Sequence, residues 1–286
     1  MTLRTDPGPV ALPYRTLLLT GAAGTLGRVL TPALRAQVPK LVLSDLGPAL
    51  AARGIDGVPC DLADAAGVRA LLQGVDAVVH MGGVSYEIAY EPILQANIRG
   101  VHNLYEAARR AGTRRIVFAS SNHVTGCYDQ SERISPADAP RPDGHYGASK
   151  LYGEALGRLY FDRYGIETVC LRIGTATADD RPPDRRALAS WLSQADLVRL
   201  VHASLAAPQV GFLVAFGISA NSRRWYDTEA AWARLGYVPQ DSADIFAEHV
   251  QHLAPPAGSL AALKQGGIFL GIGPFDDDAR PSAGAS

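Results

Sequence analysis

Apolar and polar positions fall into two kinds of block along the first 170 residues. Short runs rich in leucine, valine and isoleucine occupy 15–20, 40–45, 75–80, 114–120 and 166–172, with a briefer run ending at Cys60. Longer amphipathic stretches lie between them at 25–37, 64–72, 90–111 and 143–164. The short runs predict buried strands and the longer ones helices with one apolar face. Strands that alternate with helices in this way predict βαβ units and a parallel sheet. Right-handed crossovers then place helices on both faces. The expected fold class is α/β, a doubly wound parallel sheet.

The regularity breaks in three places. Residues 122–142, rich in Pro, Asp, Ser and Gly, form a loop too long to be a mere connector, and such loops tend to carry function. After Arg172 a polar, proline-interrupted stretch at 179–186 precedes helix, strand and helix patterns that run to His252. The ends differ again. Residues 1–14 hold Pro7, Pro9 and Pro13 and predict a loose extension, while 276–286 has the composition of a flexible tail. The expected organisation is therefore a single domain over 15–275. Its cofactor part spans about 15–172, and a small C-terminal substrate-binding portion covers 173–275. No internal repeat is visible.

Composition narrows the class. The 286 residues are 47% hydrophobic and 19% charged, with a net charge of −1, which gives no electrostatic reason to expect nucleic acid or an anionic membrane surface. No apolar run is long enough for a membrane-spanning helix, and none near the start resembles a signal peptide. Cys60, Cys127 and Cys170 are odd in number and widely spaced. They lack metal-ligand spacing and suit a reduced, cytoplasmic protein.

The first strand runs into Thr20-Gly21-Ala22-Ala23-Gly24-Thr25-Leu26-Gly27, which opens the first helix. Glycines at such a turn let the backbone approach a pyrophosphate seated on the free N–H groups of the helix N-terminus. The strand–turn–helix context makes this Gly-x-x-Gly-x-x-Gly a nucleotide site of Rossmann type. Asp45 ends the second strand, where a carboxylate would accept the adenosine ribose hydroxyls and repel a 2′-phosphate. Leu46 and Gly47 bring no arginine, so NAD is favoured over NADP; otherwise Asp45 merely caps a turn. Asp61 and Leu62 could flank the adenine. Gly82 and Gly83 could let the chain pass close to the cofactor, or either pair could be plain turn chemistry.

Tyr146 and Lys150 stand four apart in a predicted helix and share one face. A phenol with an ordinary pKa near 10 is a poor base at neutral pH. An ammonium about 4 Å away, at an effective dielectric near 20, favours the phenolate by roughly 4 kcal/mol. That bounds the lowering of Tyr146 at roughly three pH units. Ser121 at the end of the fifth strand makes the Tyr-x-x-x-Lys spacing informative.

Taken together, the glycine turn, Asp45, His80-Met81-Gly82-Gly83, Asn97, Ser120-Ser121 and Tyr146-x-x-x-Lys150 resemble the extended short-chain dehydrogenase/reductase family. Four segments within it are similar to the bacterial uronate dehydrogenases: 78–85, 115–123, 141–146 and 171–174. The similarity runs from about Arg15 to Phe275. It implies oxidation of a hexuronate, glucuronate or galacturonate, at the anomeric carbon to an aldaric acid lactone, with hydride passing to NAD. By this resemblance Tyr146 takes the hydroxyl proton, Ser121 hydrogen-bonds that oxygen, and Lys150 tunes Tyr146 and holds the nicotinamide ribose. Met81, Gly82, Gly83, Val84, Ser85, Asn97 and Ala176 are implied on the cofactor side. Ser85, Asn122, His123 and Thr175 match the sugar contacts, Thr175 replacing the serine of those relatives. The stretch 179–186 is two residues longer than theirs. Counting back from Trp191 selects Arg186 as the carboxylate-binding arginine, with Arg185 and Arg181 as alternatives.

Other polar residues are expected to be structural. His249 and His252 lack a third ligand, so no metal is expected. Arg109, Arg110, Arg114 and Arg115 flank a helix C-terminus, where cations suit the macrodipole. His80 is expected to be a hydrogen-bonded core histidine, and Asn97 to hold a water, bend its helix or be simply exposed. The expected partner is a small-molecule uronate and a second copy of the chain, as a homo-oligomer. Two alternatives stay open: a nucleotide-sugar epimerase or dehydratase of the same family, and a non-catalytic NAD-sensing module. The first would need a larger C-terminal domain, and the second typically lacks the tyrosine and lysine.

Overall fold

The computed structural model describes residues 11–273 and 275. Seven strands form one sheet: β1 (Thr16–Thr20), β2 (Lys40–Asp45), β3 (Val58–Pro59), β4 (Ala77–His80), β5 (Arg115–Ser121), β6 (Glu167–Ile173) and β7 (Phe212–Gly217). Their order is β3-β2-β1-β4-β5-β6-β7, and every pairing is parallel. The direction of winding reverses between β1 and β4, and it is at such a switch point that open α/β sheets bind ligands.

Both faces of the sheet are buried, so its strands read as continuous apolar runs. Alternation still sorts them. Leu17, Leu19, Val79, Val117 and Ala119 join one core, while Leu18, Val78, Ile116 and Phe118 join the other. Between strands come α1 (Thr25–Arg35), α2 (Gly47–Arg53), α3 (Ala65–Leu71), α4 (Tyr90–Ile93), α5 (Gly100–Ala111) and α6 (His145–Tyr164). Then follow α7 (Ala187–Ser190), α8 (Gln194–Ala206) and α9 (Glu229–Leu235).

Three expectations change. The helix expected over 90–111 is α4 and α5 joined through a π-helical stretch, Leu94–Arg99, which inserts a residue into the ladder. The helix expected from residue 143 starts at His145, leaving Asp143 free to turn inward. The loose extension expected over 1–14 is wrong for its last residues. Leu12 and Tyr14 are buried, with Leu12 N–H donating to the Gln37 carbonyl and Tyr14 Oη to that of Leu205. Apolar burial outweighs the prolines there. Residues 1–10 and the tail 276–286 lie outside the described residues.

Candidate active site

A cavity of about 880 Å³ opens along the C-terminal ends of the strands, over the switch point. Its cofactor-like end is built on β1. Gly21 has φ +70°, and a β-carbon there would come 2.5 Å from the Met81 carbonyl carbon, so the turn and the end of β4 can meet only through glycine. The N-cap of α1 is Gly24, which offers no side-chain cap, and the first turn holds no acidic residue. The first N–H groups of a helix lack intrahelical partners. Here nothing of the helix's own competes with an anion for them. Asp45 is fixed at the rim: its Oδ2 accepts from Ala23 N–H at 2.9 Å and its Oδ1 from Leu46 N–H at 2.8 Å. Each carboxylate oxygen keeps a further lone pair for a ligand hydroxyl.

Gly21, Gly24, Thr25, Leu26, Gly27, Asp45, Met81, Gly82, Gly83, Ser85, Lys150 and Ala176, expected at the cofactor, all line this cavity. Five further residues expected at the cofactor do not line it. Leu46 is 50% exposed and turns away, and Asp61 Oδ1 accepts from Ala63 N–H in its own turn. Leu62 packs behind Gly82. Val84 has its backbone N–H and carbonyl both bonded by the Asn97 amide, at 2.8 and 2.9 Å. Asn97 is 1% exposed and gives its remaining donor to Ser149 Oγ at 2.9 Å. Its amide is spent on protein rather than on cofactor. Arg53, Ala49 and Ala52 of α2 also line the cavity. An arginine, eight residues past Asp45, therefore lines the same cavity as that carboxylate.

The other end of the cavity lies between β5 and α6. Ser121 ends β5; Tyr146 is the second residue of α6, and Lys150 follows one turn on. Tyr146 is 7% exposed, and burial pushes its phenol up to about 12, with the Ser121 hydroxyl acting the other way. Lys150 Nζ rests 5.7 Å from the Tyr146 ring centroid and 5.3 Å from that of Phe118. Burial lowers its ammonium to about 8. Burial thus opposes the expected depression of Tyr146 by Lys150, whose ammonium sits over ring faces and is itself desolvated. His80, as expected, is a core residue: Nδ1 lies 2.7 Å from Thr20 Oγ1, and burial lowers it to about 3.

At the far wall His123 is held on three sides. Its Nδ1 lies 2.6 Å from Asp143 Oδ2, Phe269 stacks on it at 3.7 Å between centroids, and Tyr146 meets it edge-on at 5.8 Å. Burial holds the imidazole below its ordinary pKa against the pull of Asp143. A neutral ring that donates Nδ1–H to Asp143 leaves Nε2 as an acceptor. Asn122 Nδ2 donates to Tyr226 Oη at 3.2 Å, and Thr175 Oγ1 pairs with Ser190 Oγ at 2.8 Å.

Of the three arginines considered, only Arg186 lines the cavity. Its Nε donates to the Gln265 carbonyl at 2.5 Å and its Nη1 reaches Thr175 Oγ1 at 3.5 Å, while Nη2 is buried with no partner among the described residues. Arg181 and Arg185 are exposed. Ser85, Ser121, Asn122, His123, Tyr146 and Thr175 all share the cavity with Arg186. Sequence reading missed Asp143 and the segment that brings Gly266, Ile268 and Phe269 into the wall. The one available signal was an aromatic in a glycine-rich run, Gly266-Gly267-Ile268-Phe269. Among the described residues no His, Cys, Asp and Glu cluster could hold a metal ion, and no helix is long and apolar enough to cross a membrane.

Comparison with known proteins agrees with this geometry. Residues 17–210 match the NAD dependent epimerase/dehydratase family. A uronate dehydrogenase of Pseudomonas putida is 49% identical over 267 residues, 92% of this chain and 98% of its own length. The crystal structure of a mutant uronate dehydrogenase from Agrobacterium tumefaciens complexed with NAD superposes with a TM-score of 0.84 at 44% identity, covering 91% of this chain and 98% of that one. A glucuronic acid dehydrogenase from Chromohalobacter salexigens gives 0.85 at 44% identity, over 92% and 99%. The chain belongs to the NAD dependent epimerase/dehydratase family, and within it to the uronate dehydrogenases.

Proposed function

We propose that this protein oxidises a hexuronate, glucuronate or galacturonate, at its anomeric carbon, giving an aldaric acid lactone and NADH. The observation that carries the substrate is Arg186 Nη2, a buried donor without a partner among the described residues, in the cavity that also holds Tyr146 and Ser121. A planar guanidinium with a free edge suits a carboxylate.

The residues present fit NAD. The uncapped N-terminus of α1 would take the pyrophosphate, Asp45 the adenosine ribose hydroxyls, and Lys150 the nicotinamide ribose. The chemistry supplied by bound NAD is hydride acceptance, with a positive ring that favours the phenolate. Tyr146 removes the proton from the anomeric hydroxyl, and Ser121 hydrogen-bonds the same oxygen as the carbonyl forms. Lys150 holds the phenolate by charge against the burial that opposes it. His123 Nε2 accepts from a sugar hydroxyl, with Asp143 fixing the tautomer, while Ser85, Asn122 and Thr175 complete the polar wall. The uronate carboxylate lies against Arg186.

Tyr146, Lys150 and Ser121 converging in one cavity speak against a non-catalytic sensor. Unpaired Cys60, Cys127 and Cys170 support a cytoplasmic setting, and light scattering would test the expected homo-oligomer. The activity test is NADH formation at 340 nm across uronates, their parent hexoses and nucleotide sugars. Turnover on glucuronate or galacturonate should exceed that on glucose and galactose. Faster turnover on a nucleotide sugar would overturn the reading.

A further inference from the structure

The helix that presents Tyr146 begins without a cap of its own. Its N-cap is Gly144, and no acidic residue stands in its first turn. Its first amides still need acceptors. Glu87, from the loop after β4, supplies them: one carboxylate oxygen accepts from His145 N–H at 3.0 Å and the other from Tyr146 N–H at 2.8 Å. Glu87 is 4% exposed, and among the described residues backbone amides rather than a cation meet its carboxylate. A carboxylate at a helix N-terminus also gains from the macrodipole. Glycine at 144 is its steric complement, since a β-carbon there would run into the Glu87 carboxylate.

The residues just before Glu87 are Ser85 and Tyr86, both in the cavity wall, and Tyr86 packs edge-on against Phe269 at 4.7 Å. The same loop is tied to α6 a second time, where Asn97 bonds both Val84 and Ser149. We propose that Glu87 is a positioning residue for the reaction: its carboxylate caps α6 from outside and locks the backbone of Tyr146 to the loop that carries Ser85. Phenol and substrate wall then keep one relative position. The proposal rests on the dehydrogenase reading for its kinetic arm only.

The test compares Glu87→Ala and Glu87→Gln with wild type in turnover on a uronate, NAD affinity, melting temperature and amide hydrogen exchange. Glu87→Ala should lower kcat by roughly a hundredfold, the scale of a misplacement of about 1 Å, with NAD affinity preserved. Glu87→Gln keeps one of the two acceptor oxygens and sets its NH2 against the other amide, so its kcat should recover in part, between the alanine variant and wild type. The amides of His145 and Tyr146 should exchange about tenfold faster or more in the alanine variant, with little change in the sheet. Wild-type kcat in Glu87→Ala, or unchanged exchange at those two amides, overturns the proposal. So does a glutamine variant as impaired as the alanine one, with melting temperature and NAD affinity falling together, which would mean support of the fold alone. A wild type inert on every uronate would sink the functional reading and leave the exchange comparison to decide on Glu87.

Discussion

On the proposed reading Arg186 has two jobs that its atoms separate. Nε fastens Gln265, and with it the segment that brings Phe269 onto His123. Nη2 has no partner among the described residues and is the group that the proposed function assigns to the carboxylate. Removing one partner of a buried charged pair costs on the order of 2–5 kcal/mol. Arg186→Ala should therefore lower kcat/KM on glucuronate by roughly 30-fold to several thousandfold, at about 1.4 kcal/mol per decade. Turnover on glucose, which lacks the carboxylate, should start low and change little. Paired steady-state series on the two sugars decide it. An equal proportional loss on both would show that only the Gln265 contact matters and that the acid is read elsewhere.

At the scale of elements, α6 carries the site, and it does so by lying unusually close to the sheet. Tyr146, Lys150 and Glu154 recur every four residues on its buried face. Gly153 and Gly157 stand where β-carbons would strike the Phe118 ring and the Thr168 side chain. Glycine inside a helix costs about 0.5–1 kcal/mol relative to alanine, so its presence twice marks a packing demand. Gly153→Ala should reverse the usual preference. Phe118 is fully buried, stacked on His80, and lies under Lys150 Nζ, so it cannot yield cheaply. Overpacking of this kind costs about 1–3 kcal/mol. The variant should melt lower and bind NAD more weakly, which calorimetry and titration would show; a higher melting temperature would mean that helix propensity wins and the close approach is incidental. The contact was not legible beforehand, although the helix was: periodicity and Tyr-x-x-x-Lys show in the sequence, whereas a helix-to-strand distance does not. The π-helical stretch at Leu94–Arg99 was hidden for a related reason. Inserting one residue into the ladder barely alters an apolar stripe, yet it turns Asn97 inward to Val84 and Ser149. Phe269 and Glu87 escaped notice because each acts on residues far away in sequence, 146 and 58 positions from His123 and His145.

For the whole molecule, what could be read in advance was what local pattern encodes: the apolar strand runs, the glycine turn after β1, and the order of chemistry along the strand ends. Burial of Leu12 and Tyr14 was not, because three nearby prolines suggested a free end while a far helix supplies the Leu205 carbonyl. Nor was the ion pair beneath the active site. Arg172 of β6 forks onto Glu154 of α6, Nε to Oε1 and Nη2 to Oε2, both at 2.9 Å, and Ser120 of β5 donates to Oε1 at 2.6 Å. The Arg172 guanidinium also lies 5.6 Å from the Phe216 ring centroid of β7. One network thus joins three strands to the helix that carries Tyr146, four residues beyond Lys150. Both partners are buried, and breaking such a pair by deleting one side costs about 3–5 kcal/mol, because the remaining charge is stranded. Against a typical total of about 5–15 kcal/mol that is a large share. Glu154→Ala should lower the melting temperature by roughly 6–20 °C, at about 2–4 °C per kcal/mol for a chain of this size. Replacing both partners with apolar side chains, Glu154→Leu with Arg172→Met, should recover most of that loss, since no charge is then left unpaired. With the single variants Glu154→Leu and Arg172→Met added, wild type, the two singles and the double form a double-mutant cycle. A double variant as unstable as Glu154→Ala would mean that the network matters for its shape and its bond to Ser120, and not for charge pairing.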